Sequence, residues 1–279
     1  MPTPLPLPSY FLHRGRRLAY REVGQGDRTI VLTHGLLMDS LMFTALASTL
    51  AEAGYRVILA DMLGHGKSDM PRDMASYSMP QFGESVIGLL DHLGVEQAVV
   101  GGTSLGANVS LEAAVLAPER VRALVVEMPV LENGIAGAGV AFVPLAALLR
   151  VQMPGMRMLA SIARRIPRSL LWLDIGLDLL RRDPQASLAV LDGITFNRIA
   201  PPASERRGLR LPTLIVGHGS DPIHPFTDAD MLNAELPTSR LVEARSIAEW
   251  RIAPKRLDAE LVRFLDEVWS RPQLHLVAS

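Results

Sequence analysis

The residues best suited to nucleophilic chemistry are Gly102-Thr103-Ser104-Leu105-Gly106. They follow an apolar, β-branched run, Gln97 to Gly101, and precede a helix-compatible run, Ala107 to Leu116. A strand, a sharp turn and a helix in that order strain the central residue and need small residues on both sides. The hydroxyl of Ser104 is then exposed at a helix start, where free N–H groups and the helix dipole can hold a developing negative charge. The five-residue pattern alone is weakly specific, because a turn serine that merely caps the following helix has the same appearance.

The elements around it predict where other chemistry could gather. Apolar runs at Thr29–Thr33, Tyr55–Ala60, Val95–Val100 and Arg122–Glu127 read as strands buried on both faces of a sheet. Helical runs at Leu41–Ala53, Met79–Leu93 and after Ser104 separate them. Alternating strand and helix implies an α/β fold, a mostly parallel central sheet flanked by helices, with its site beyond the carboxyl ends of the strands. His34, Asp61, Ser104 and Glu127 fall at those ends. An opening hairpin is expected within Tyr10–Val23, and strand and helix resume at Pro212–Gly217, Pro225–Leu236, Ser239–Glu243 and Arg256–Trp269.

Between Pro129 and Leu209 the alternation stops. That stretch shows helical periodicity at Phe142–Val151, Met156–Ile166, Ser169–Leu180 and Pro184–Phe196, and reads as an inserted helical cap. The expected division is a core of residues 1–128 and 210–279 with a cap of residues 129–209. Within it, Gly134–Leu149 comes near a membrane span in apolar length, but Pro144 and three glycines suit an internal helical hairpin as well.

The chain has 279 residues, 48% hydrophobic and 20% charged, with a formal net charge of −1. Near-neutrality argues against a nucleic-acid binder or a polybasic membrane-surface protein. With no cysteine, disulfides, thiolate metal sites and a cysteine nucleophile are excluded, and no metal or cofactor is expected. The proline-spaced start, Met1 to Pro8, lacks the basic and apolar regions of a signal peptide, so the expectation is a cytoplasmic protein without a membrane span. Its expected partner is a small-molecule substrate, and pairing with a second copy stays open.

His34-Gly35, then Asp61-x-x-Gly64-x-Gly66-x-Ser68, then the Ser104 turn, together resemble the α/β-hydrolase fold superfamily from about Thr29 to Trp269. The resemblance implies that Ser104 is a nucleophile forming an acyl-enzyme, with the backbone N–H groups of Leu36 and Leu105 as oxyanion hole. His34, Asp61 and His65 then shape loops rather than transfer protons. Asp221, after the strand Pro212–Gly217, matches the triad acid, with Glu127 as competitor. The superfamily's histidine should lie in Glu243–Arg251, which contains none, and His275 stands in the tail.

Without a base a serine hydroxyl is a poor nucleophile near neutral pH. His224, near a helix start that favours its neutral form, is the first candidate base, then His218, with Glu249 as a carboxylate alternative. If His224 is the base, Glu127 becomes the better orienting acid, since Asp221 stands close to it in sequence. The expected activity is a serine hydrolase acting on esters with an apolar acyl or aromatic part, Phe142 and Trp172 contributing to an apolar pocket. The alternatives are a binding protein or degenerate hydrolase that keeps the pocket, and a carbon–carbon hydrolase or lyase on the same fold.

Overall fold

Five β-strands of nearly unbroken apolar sequence can be buried on both faces only if helices cover both sides of their sheet, and this is the arrangement found. A computed structural model describes residues 5–167, 177, 180–219, 221 and 223–270. The strands are β1 (Ser9–His13), β2 (Arg16–Val23), β3 (Thr29–Thr33), β4 (Arg56–Asp61), β5 (Ala98–Thr103), β6 (Val121–Glu127), β7 (Thr213–His218) and β8 (Ser239–Ala244). They form one sheet in the order β1-β2-β4-β3-β5-β6-β7-β8. β1 and β2 form an antiparallel hairpin, β2 pairs antiparallel with β4, and the remaining pairs are parallel.

Alternation along each strand divides the core. Val31, Val100, Leu124 and Ile215 face one side, packed with α2 (Met79–His92), α3 (Leu105–Leu116) and α8 (Phe226–Glu235). Ile30, Leu32, Val99, Val125 and Val216 face the other, packed with α1 (Thr44–Glu52) and α10 (Lys255–Ser270). The amphipathic reading of the last helix holds: Leu257, Leu261, Phe264, Leu265 and Val268 are its buried stripe.

Between β6 and β7 lie α4 (Ile135–Val151), α5 (Met153–Ala163), α6 (Pro184–Thr195) and the single turn α7 (Ala203–Arg206). A short α9 (Glu249–Ile252) follows β8. The sequence reading needs one correction here. Ile135–Val151 is one helix that runs through Pro144, not a helical hairpin or a helix starting at Phe142. Pro144 lies on the exposed side of α4, where water can satisfy the carbonyl that its missing N–H leaves free. The reversal comes after Val151, where α4 and α5 meet at 100°. The expected helix Ser169–Leu180 lies mostly outside the described residues.

The glycines of the serine turn have a specific tertiary reason. A Cβ on Gly106 would lie 1.9 Å from the Thr33 carbonyl oxygen, and one on Gly102 would lie 2.4 Å from the same atom. β3 therefore passes directly against the strand–helix junction, and backbone cannot swing aside as a side chain can. Gly106→Ala is expected to cost about 3 kcal/mol or more of unfolding free energy. Urea unfolding followed by circular dichroism checks this, and a loss under about 1 kcal/mol would refute the close-approach account.

Candidate active site

The turn between β5 and α3 holds Ser104 at φ 55° and ψ −110°, a left-handed conformation that costs energy for a residue with a side chain. Its N–H donates to the Glu127 carbonyl at 2.8 Å, which ties the turn to the end of β6. Its hydroxyl makes no helix-cap hydrogen bond, so the capping reading fails on geometry. The hydroxyl instead lies 2.8 Å from His224 Nε2.

His224 Nδ1 lies 2.6 Å from Asp221 Oδ2. An ionised carboxylate only accepts, so the ring proton belongs on Nδ1 and Nε2 is left to accept from the serine O–H. Asp221 is held ionised. Burial pushes its pKa up, but hydrogen bonds from the His224 ring and the Ile223 N–H outweigh that and bring it below the usual carboxylate value. The expectation that Asp221 stands too close in sequence to serve His224 is corrected here. The Ile223 N–H donates to Asp221 Oδ1 at 2.7 Å, an Asx turn that folds the chain back and leaves Oδ2 facing the ring.

The other candidates have different surroundings. His218 ends β7 buried, with Nε2 2.9 Å from Met128 Sδ and 3.9 Å from Asp221 Oδ2. Burial pushes its pKa down, although Asp221 opposes this, so the ring packs against the sheet as a neutral group. Glu127 is engaged below the serine rather than beside the His224 ring. Its Oε2 accepts from Thr103 Oγ1 and, at 2.7 Å, from Arg251 Nη2, which also lies 3.0 Å from Thr103 Oγ1.

Arg251 was not anticipated. It comes from the stretch where the superfamily's histidine was sought, and nothing in its sequence context distinguishes it from a solvated arginine.

Glu249 does not occupy that place as a free base. Both its carboxylate oxygens lie 2.8 Å from the Arg256 guanidinium, and Oε2 also accepts the Arg245 N–H at 2.5 Å. The Arg256 hydrogen bonds, against a smaller opposing effect of burial, hold its pKa down at about 2, from an ordinary value of 4.5. A depressed carboxylate pKa stabilises the fold above pH 4.5, and that stability is lost as pH falls through about 2. Glu249→Gln is therefore expected to lower Tm at pH 7 and to have little effect near pH 2, measured by calorimetry across that range.

His34, Asp61 and His65 shape loops. His34 Nε2 accepts the Met62 N–H at 3.0 Å, so its Nδ1 donates to the Gly35 carbonyl at 2.9 Å. Asp61 accepts the N–H groups of Ser40 at 2.8 Å and Lys67 at 2.9 Å. His65 is fully buried beside His34, ring centroids 4.8 Å apart, and burial keeps it neutral.

Above Ser104 is a cavity of about 160 Å³ lined by Leu36, Leu105, Phe142, Leu191 and Ile194 among others, with Asn108 and Thr195 its further polar residues. Leu105 is the first residue of α3, so its N–H has no acceptor within the helix. Leu36 lines the same cavity. Trp172 and His275 lie outside the described residues. Among the described residues no three His, Asp or Glu side chains gather as a metal site would need.

A hydroxyl bonded to a neutral imidazole, itself held by a carboxylate, can pass its proton to the ring as its oxygen attacks. The model of the alpha/beta hydrolase fold family matches residues 28–143, the stretch with His34, Asp61 and the Ser104 turn. The enol-lactonase from Burkholderia xenovorans LB400 superimposes with a TM-score of 0.75 over 92% of this chain and 100% of its own, at 22% identity.

The chain has the α/β-hydrolase fold. It is also similar to an uncharacterized protein of Mycobacterium tuberculosis, 28% identical over 90% of this chain and 79% of that one. A 2-hydroxy-6-oxononadienedioate/2-hydroxy-6-oxononatrienedioate hydrolase of Paraburkholderia phymatum is 37% identical over 46% of this chain and 44% of its own. Both Asp221 and His224 stand in the one loop after β7.

Proposed function

We propose that this α/β-hydrolase is a serine esterase that cleaves carboxylic esters with an apolar acyl part. The observation that carries the reading is the hydrogen-bonded chain from Asp221 through His224 to Ser104 Oγ. In the first half-reaction Ser104 Oγ attacks the ester carbonyl while its proton moves to His224 Nε2. The resulting imidazolium is stabilised by Asp221, and the developing oxyanion is held by the N–H groups of Leu105 and Leu36. His224 then returns the proton to the leaving alcohol, and the acyl group stays on Ser104. Water, deprotonated by the same ring, releases the acid in the second half-reaction.

The cavity supports an uncharged acyl group, since no charged side chain is among the residues that line it. That lining favours esters over the dicarboxylic substrate named for the Paraburkholderia relative, which would need cationic partners. The degenerate-hydrolase alternative was motivated by a missing base, and His224 at 2.8 Å weighs against it.

Activated nucleophiles react with fluorophosphonates, so the protein is expected to gain an adduct on the peptide containing Ser104, seen by mass spectrometry. It is also expected to release p-nitrophenol from p-nitrophenyl butyrate. Absence of both the adduct and the release, in folded protein, would overturn the proposal.

A further inference from the structure

The helix α4 joins two very different surroundings. On one side Ala138, Gly139 and Phe142 line the cavity above Ser104. On the other, hydrophobic residues stand in water: Val140 is 80% exposed, Leu148 47% and Val151 75%. Of its residues only Ala146 and Leu149 are buried. The next helix continues the pattern with exposed Met158, Leu159 and Ile162. So large an apolar area on consecutive helices is costly in water and marks a docking surface.

Charge decides the occupant. From residue 133 to residue 173 the sequence contains no Asp or Glu but five arginines. Arg157, Arg164 and Arg165 are exposed, while Arg150 pairs with Asp192 of α6. A net charge of −1 for the whole chain conceals this one-sign segment, so the sequence-level argument against a basic membrane-surface protein does not apply locally. A second copy of the same face would bring arginines against arginines. A surface of anionic lipid headgroups over acyl chains complements both features.

Among the described residues no single helix is long and apolar enough to cross a membrane. The 100° bend between α4 and α5 instead suits two helices lying in the interface.

We infer that the outer faces of α4 and α5 dock this protein on anionic lipid bilayers. Resting on the esterase reading, the docked position gives a lipid-borne ester a short route past Ile135 and Val143, which are both exposed and cavity-lining, to Ser104.

The test uses full-length Ser104→Ala protein, so that no lipid is hydrolysed, sedimented with vesicles of phosphatidylcholine alone or with 30 mol% phosphatidylglycerol. Binding to the mixed vesicles is expected, at least about tenfold tighter than to phosphatidylcholine and weakened by 0.5 M NaCl. Val140→Asp with Val151→Asp, and separately Arg157→Glu with Arg165→Glu, are each expected to weaken it at least about tenfold. These four residues are outside the proposed catalytic machinery. Each pair in the Ser104 background of the natural sequence should keep p-nitrophenyl butyrate turnover, which reports an intact fold.

No sedimentation with the mixed vesicles would overturn the inference. So would a dimer in sedimentation velocity that Val140→Asp disrupts and vesicles fail to displace. Loss of ester turnover in the natural sequence would strike the esterase reading and leave the vesicle result standing on its own.

Discussion

His224→Ala is expected to lower kcat for p-nitrophenyl butyrate by about 10⁴-fold or more, as deeply as Ser104→Ala, with KM changed little. His218→Ala is expected to stay within about tenfold of the unaltered protein. The contrast follows from where the two rings lie. His224 Nε2 is 2.8 Å from Ser104 Oγ, whereas His218 Nε2 is 2.9 Å from Met128 Sδ in the buried end of β7. Both side chains stand near Asp221, so composition of the loop cannot separate them, and steady-state kinetics on the two variants can. An activity loss larger in His218→Ala than in His224→Ala would exclude His224 as the base. Fluorophosphonate labelling should follow the same order, since it needs the activated hydroxyl but no deacylation.

Asp221→Asn is expected to reduce kcat by about 10³- to 10⁴-fold. An amide nitrogen in place of Oδ2 donates to Nδ1 and drives the ring proton to Nε2, where it can no longer accept from Ser104. Glu127→Gln is expected to cost no more than about tenfold in kcat, because Glu127 holds Arg251 and Thr103 rather than the ring. Its principal effect should be on stability, through loss of the ion pair between buried Glu127 and half-buried Arg251, whose guanidinium is then left poorly compensated. Kinetics and thermal unfolding on both variants distinguish the roles. If Glu127→Gln shows the deeper kcat loss and Asp221→Asn the deeper Tm loss, the assignment of acid and brace is reversed.

The missing histidine after β8 acquires a structural counterpart in these contacts. Arg251, from that stretch, reaches the floor of the serine turn and pairs with Glu127, whose own carbonyl accepts the Ser104 N–H. The space below Ser104 is thus occupied by an ion pair, and the imidazole beside its hydroxyl comes from the preceding loop. Arg256 and Glu249 form a second ion pair in the same region.

The central strands and the serine turn were legible in the sequence because their causes are local. A strand buried on both faces must be apolar at every position, as Ile30–Leu32 and Val99–Val100 are, and a turn that tight needs glycine at 102 and 106. The course of α4 through Pro144 was less legible, because proline's penalty depends on whether the orphaned carbonyl meets water. That exposure is a property of how the helices between β6 and β7 pack. Nor could periodicity show that the outer face of α4 stays bare, since apolar residues ordinarily signal burial.

By itself the sequence determined an α/β chain with Ser104 on a strained strand–helix turn, since backbone sterics and hydrophobic periodicity act between near neighbours. Only the tertiary structure decided which histidine meets that serine. The two residues are 120 positions apart, and the meeting depends on β5 and β7 ending on the same edge of one sheet and on the Asx turn at Asp221. Hydrogen bonds are made within about 3 Å, and sequence spacing carries no information at that scale between distant segments.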